Sequence, residues 1–201
     1  MTSRQLNKRN AAKHYKRYKT DMEKRKRIAF YHEDDYCQKE LLPLTAKDFC
    51  LKQMGEINDF SQEHQSENGG FTDIFIREEP SHGIEELGLR SEQLHEALSF
   101  LPPYDYVETG YSSYKEESKA TYGRGNGDEE NIFWSVNESG VVNAVWMDME
   151  IAPVTIDGWR KVLISLGRIA PVLLVDWGWD LCVDLTNLSN IEEYINEKSR
   201  L

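Results

Sequence analysis

The stretch "NIFWSVNESGVVNAVWMDME", residues 131–150, decides the fold class. Ile132–Val136 and Val141–Met149 are rich in β-branched and aromatic residues, which suit a pleated, half-buried surface. "NESG" lies between them and has turn chemistry, so the pattern predicts an antiparallel hairpin. After the hairpin, Thr155 caps a predicted helix with Ile156, Trp159, Leu163 and Leu166 on one apolar face, closed by Gly167. "PVLLVDWGWDLCVDLTN", residues 171–187, then reads as a buried strand and a second short strand on either side of Trp177-Gly178-Trp179. Ser189 with Glu192 predicts a capping box for a last helix ending near residue 198.

On the N-terminal side, "RIAFYHEDDYCQKELLPL" reads as two strands, Ile28–Tyr31 and Tyr36–Leu42, across the acidic turn Glu33-Asp34-Asp35. Thr45 and Asp48 mark a helix start. Phe49, Cys50, Met54, Ile57 and Phe60 keep helical spacing to about residue 64. "HQSENGG" is a loop, and the alternation in "FTDIFIREE", residues 71–79, predicts a strand. A short helix is expected over 91–100, stopped by Pro102-Pro103. In "YDYVETGYSSYKEESKATYGRGNGDEEN" the ends are expected as strands and the middle as a long loop. No internal repeat is present. Hairpins and strands separated by helices predict an α+β fold around a mixed or antiparallel sheet with packed helices.

The chain has 201 residues and a net charge of -11, unevenly spread. Residues 1–27 hold eleven Lys/Arg against two acids, a net +9, so the rest, with 13 basic and 33 acidic residues, carries -20. Residues 4–27 lack Gly and Pro, which predicts a basic helical arm (1–27) ahead of one acidic α+β domain (28–201). Mean hydropathy is -0.65, and no apolar run approaches the roughly 20 residues of a membrane span. The charged N-terminus shows no secretory signal. The three cysteines, Cys37, Cys50 and Cys182, form no CxxC pair and are expected as reduced, structural thiols in a cytoplasmic protein.

Candidate chemistry is sparse. Asp176, Asp180 and Asp184 sit four apart. Asp176 and Asp180 flank a turn where two carboxylates would begin a divalent-metal site, yet further oxygen ligands are not indicated locally. Aspartate also serves turns by bonding its own backbone. Glu33-Asp34-Asp35 beside His32 admits the same two readings. "GRGNG", residues 123–127, lacks the lysine and Ser/Thr of a phosphate loop, and no histidine falls in an HExxH pattern. No cofactor is implied. The eleven cations of the arm, with Tyr15 and Tyr18, could meet nucleic-acid phosphates, which the acidic body would oppose. An acidic body with aromatic residues in loops fits the capture of a basic protein, because complementary charge speeds encounter and sharpens specificity.

"YHEDDYCQKELLP" and "PVLLVDWGWDLCVDLTNLSNIEEYINEK" together resemble small cytoplasmic immunity proteins of bacterial polymorphic-toxin systems. The resemblance spans about 170 residues and excludes the basic arm. It implies a protein without catalysis of its own that neutralises a basic toxin by occluding its active site. No family residues transfer to particular positions. The contact residues expected from charge and loop position are Glu33, Asp34, Asp35, Tyr111, Tyr114, Glu116, Glu117, Asp176, Trp177, Trp179 and Asp180. Two alternatives stand beside this reading: a metal-dependent enzyme using Asp176 and Asp180, and a nucleic-acid-associated factor acting through residues 4–27.

Overall fold

The computed structural model describes residues 26–111, 113–127 and 130–199. The expected basic arm lies outside the described residues except for Lys26 and Arg27. Among the described residues there are nine strands and four α-helices. In chain order the strands are β1 (Ile28–His32), β2 (Lys39–Pro43), β3 (Tyr106–Tyr111), β4 (Tyr114–Glu117), β5 (Thr121–Gly125), β6 (Glu130–Val136), β7 (Val142–Met149), β8 (Val172–Asp176) and β9 (Leu181–Asp184). The helices are α1 (Lys47–Glu63), α2 (Ser91–Ala97), α3 (Ile156–Ile169) and α4 (Leu188–Lys198). The fold is α+β.

Six strands form an antiparallel sheet in the order β5-β6-β7-β2-β8-β9, and three form a mixed sheet in the order β1-β3-β4. The β6–β7 hairpin pairs Ile132 with Met147, Phe133 with Trp146 and Trp134 with Val145. Because successive side chains point to opposite faces, Ile132 and Trp134 enter one core while Phe133 and Trp146 enter another. One face of the large sheet packs on Leu94 and Leu98, on Trp159, Val162, Leu163 and Leu166 of α3, and on Ile191 and Ile195 of α4. The other face meets α1 through Cys50 and Met54 against Leu173, Val175 and Trp177. Beside that contact it meets the small sheet through Ala29, Tyr31 and Val107. The large sheet is thus covered on both faces, which is why β6, β7 and β8 read as near-continuous apolar runs. Each fully buried large apolar side chain contributes about 1.5–3 kcal/mol.

Several local expectations change in the folded chain. The strands on either side of Glu33–Asp35 exist but do not pair with each other. A 3-10 turn there, Glu33–Asp35, redirects the chain: β1 joins β3 in parallel, and β2 enters the large sheet between β7 and β8. Residues 71–79 are not a strand; an isolated bridge between Gln65 and Phe71 is the one ladder contact recorded for them. In the polar stretch 104–131 the strands expected at the ends are present, but the middle, expected as a long loop, holds β4, and Gly123–Gly125 of "GRGNG" lie in β5. Gly123 and Gly125 are glycines there because a Cβ at either would collide with Phe133 or Asn131 of the neighbouring β6.

Helix ends shift similarly. Thr155 holds the N-cap position of α3 as expected, but its side chain does not cap the helix; its hydroxyl accepts from the Ala152 amide and donates to the Glu150 carbonyl. Gly167 lies inside α3, where a Cβ would run into the Leu185 carbonyl, so its role is close approach of helix to chain. Asn187, not Ser189, caps α4 by accepting the Ser189 amide at 3.0 Å.

Candidate functional site

Seven of the eleven expected contact residues lie on β3, on β4 or on the turn that follows β1 of the small sheet. The 3-10 turn Glu33–Asp35 leaves β1 directly against the β3–β4 hairpin, whose register places Tyr111 opposite Tyr114, Thr109 opposite Glu116 and Glu108 opposite Glu117. Every residue of β4 is exposed, and no described strand pairs with its outer edge. The Tyr114 hydroxyl donates to Glu116 Oε2 at 2.6 Å. The Tyr111 ring meets the His32 ring edge-on at 5.1 Å. A Glu33 carboxylate accepting from the Tyr111 hydroxyl pushes that phenol upward from its ordinary pKa, and Glu116 does the same to Tyr114. Both hydroxyls therefore remain neutral donors beside acidic side chains. The result is an exposed patch in which Glu33, Asp34 and Glu116 surround two tyrosine rings, 48% and 57% exposed, with Asp35 on the same turn; Glu117 follows on β4 and points to the opposite face of the sheet. Lys115 points to the opposite face, where its ammonium sits 4.1 Å from the Phe30 ring.

The remaining four expected residues lie at the β8–β9 turn and do not behave alike. Trp179 is 53% exposed and Asp180 is exposed, with φ +54 and an Asn58 side-chain amide donating to its carboxylate at 3.0 Å. Asp176, expected at the surface, is instead buried, and Trp177, a contact candidate for which core packing is the other reading, is buried as well. Asp176 is 1% exposed; the Tyr194 hydroxyl donates to its Oδ2 at 2.9 Å, and Lys198 Nζ stands 3.0 Å away. Burial raises the Tyr194 phenol and lowers the Lys198 ammonium from their ordinary values, the latter against the pull of Asp176. The reason for the correction is α4, which brings Tyr194 and Lys198 over the end of β8. Asp176 and Asp180 accordingly take different partners, one in the interior and one on α1, and do not converge on a metal. Among the described residues, no group of three or more His, Cys, Asp and Glu side chains is arranged to hold a metal ion.

Trp177 belongs to a second feature that the sequence did not reveal. Its indole Nε1 donates to Glu40 Oε1 at 2.7 Å, and the Arg77 guanidinium lies 4.4 Å from the ring centroid. Arg77 reaches Glu40 at 3.6 Å, and its Nη2 donates to the Cys37 carbonyl at 3.3 Å. These groups line a cleft of about 800 Å³ between β2 and residues 75–86. Burial raises the Glu40 carboxyl above its ordinary pKa even though Trp177 and Arg77 both favour its charge. The one sequence signal for this cleft is a glutamate immediately before the apolar end of β2; nothing in the polar run around Arg77 announces it. Of the cysteines, Cys50 is fully buried, and Cys182 packs beside it with its Sγ 3.9 Å from Met54 Sδ.

Among the described residues no helix is long and apolar enough to cross a membrane. Comparison of the chain with protein-family models, with curated proteins and with solved structures gives no match.

Proposed function

We propose that this protein is a non-catalytic binding module that captures a basic protein through the acidic, tyrosine-bearing face of β3, β4 and the Glu33–Asp35 turn. The observation that supports it is convergence: acids and rings spread from position 33 to position 116 meet where the Glu33–Asp35 turn comes against the β3–β4 hairpin, beside the unpaired outer edge of β4. Carboxylates steer a cationic partner toward the patch, and the tyrosine rings supply contact area at little entropic cost. The outer edge of β4 also offers backbone groups to a partner strand, while its own charges guard against self-association. In its most specific form the partner is a basic toxin domain and the protein its immunity factor, as the sequence resemblance implies.

The test is capture from native cells with the tagged chain, nuclease-treated, beside a variant carrying Glu33→Lys, Asp34→Lys, Glu116→Lys and Glu117→Lys. A stoichiometric basic protein, retained after nuclease and lost from the variant, supports the reading. Equal capture by both chains refutes the face. Material lost on nuclease treatment would favour nucleic-acid contact through residues 4–27 instead.

A further inference from the structure

The cleft beside β2 has the chemistry of a guanidinium receptor. It offers the face of Trp177, the carboxylate of Glu40 and the carbonyl of Cys37, which are the three kinds of group that a planar, delocalised cation with several donors satisfies together. Arg77 already shows that a guanidinium fits, stacked 4.4 Å from the indole centroid.

Arg77 is nevertheless a poor occupant. Its approach to Glu40 is 3.6 Å and its bond to the Cys37 carbonyl is 3.3 Å, whereas a good charge-assisted bond is about 2.7–2.9 Å. The closest hydrogen-bond donor to Glu40 is Trp177 Nε1, not the cation. The segment that carries Arg77, residues 72–83, has neither helix nor strand. Its further ties to the body include one bond from the Glu78 amide to Gln53 Oε1 at 3.1 Å and an edge contact of Phe75 on Phe60. Ile74 and Ile76 on the same segment are 82% and 84% exposed. The cleft also has room and an unbalanced charge: its lining includes Glu40, Glu78, Glu79, Glu85 and Glu86, with Arg77 the one Lys or Arg among them.

We propose that the cleft formed by Trp177, Glu40 and the Cys37 carbonyl is an arginine-binding pocket, and that Arg77 is an internal place-holder displaced by an arginine side chain of a basic protein partner. The proposal rests on the reading that the partner is basic, and adds the side chain it presents. A partner arginine held at better distance gains what Arg77 forgoes, and the released segment is free to follow it.

The experiment replaces the place-holder. Arg77→Ala is titrated with N-acetyl-arginine amide, and with N-acetyl-citrulline amide as the neutral isostere, following tryptophan fluorescence and thermal melting. The variant should bind the arginine probe saturably and roughly tenfold or more tighter than the wild-type chain, one charge-assisted bond being worth about that factor. The citrulline probe should not bind, and adding Glu40→Gln should weaken binding by a similar factor. No saturable response, equal response to the two probes, or equal response of wild type and variant overturns the proposal. Should Arg77→Ala not fold, Arg77→Gln carries the same titration. If neither folds even with the arginine probe present, Arg77 is a structural residue and the place-holder idea is wrong. No partner is needed, so failure here leaves the β3–β4 face standing, and charge reversal on that face leaves this titration unchanged.

Discussion

Replacing Lys198 by Met tests the buried set behind the β8–β9 turn. The methionine keeps an apolar stem and removes the ammonium that lies 3.0 Å from Asp176 and 3.8 Å from the Trp179 ring centroid. The Asp176 side chain is 1% exposed and that of Lys198 is 8% exposed, so water cannot replace the lost cation. Asp176 would then keep the Tyr194 hydroxyl and lose its opposite charge. Breaking a buried pair from one side costs about 3–5 kcal/mol, most of it the penalty for an uncompensated charge. For a chain of this length that corresponds to a melting temperature lower by roughly 6–20 °C. Removing the whole polar set, with Asp176→Leu, Tyr194→Phe and Lys198→Met together, leaves no orphaned group and should recover most of the loss, because apolar replacement of a buried pair is often neutral or stabilising. Urea unfolding followed by tryptophan fluorescence measures both. A loss below about 1 kcal/mol for Lys198→Met, the range of exposed pairs, would refute the reasoning. So would a triple variant no better than the single one.

Three further outcomes follow from other buried groups. Burial holds the Glu40 carboxyl above its ordinary value of 4.5, so its stabilising contribution is complete below 4.5 and is lost as pH rises through its folded value. The stability of Glu40→Gln relative to wild type should therefore climb with pH from about 4.5, and a flat difference in urea midpoints between pH 4 and pH 8 would contradict this. Ser91→Ala removes the acceptor of the Trp134 indole, a 2.8 Å bond in the core, and should cost about 1–3 kcal/mol in chemical denaturation; a cost near zero would mean that the indole has another acceptor. Gly167→Ala drives a methyl group into the Leu185 carbonyl. It should destabilise by about 1–3 kcal/mol despite the better helix propensity of alanine, as overpacking does, and an unchanged or higher melting temperature would show that α3 can shift away.

The patch on β3 and β4 was partly legible before the fold was known. Glu33, Asp34, Asp35, Tyr111, Tyr114, Glu116 and Glu117 stand out in the sequence as acids and rings, in stretches that read as an acidic turn and as a polar segment with strands at its ends and a loop in its middle. Their meeting was not legible, because it depends on β1 lying parallel to β3, a pairing between segments more than 70 residues apart. The cleft was less legible still: Arg77 and Trp177 carry no pattern that links positions a hundred residues apart, and the segment around Arg77 alternates like a strand without becoming one.

Features that depend only on neighbouring residues are readable from the chain without its fold. The β6–β7 hairpin, the strand ending at Asp176, the apolar face of α3, the α+β class and the split between a basic beginning and an acidic body all rest on local periodicity, turn chemistry or charge, which need no distant partner. The tertiary structure alone decided where those pieces meet. It inserted β2 between β7 and β8, turned Asp176 from an expected surface acid into the buried partner of Tyr194 and Lys198, and set Glu40 beneath Trp177. The physical reason is that a side chain's solvation is fixed by whichever element covers it. For Asp176 that element is α4, whose Tyr194 and Lys198 reach the end of β8 only once both sheet and helix are in place.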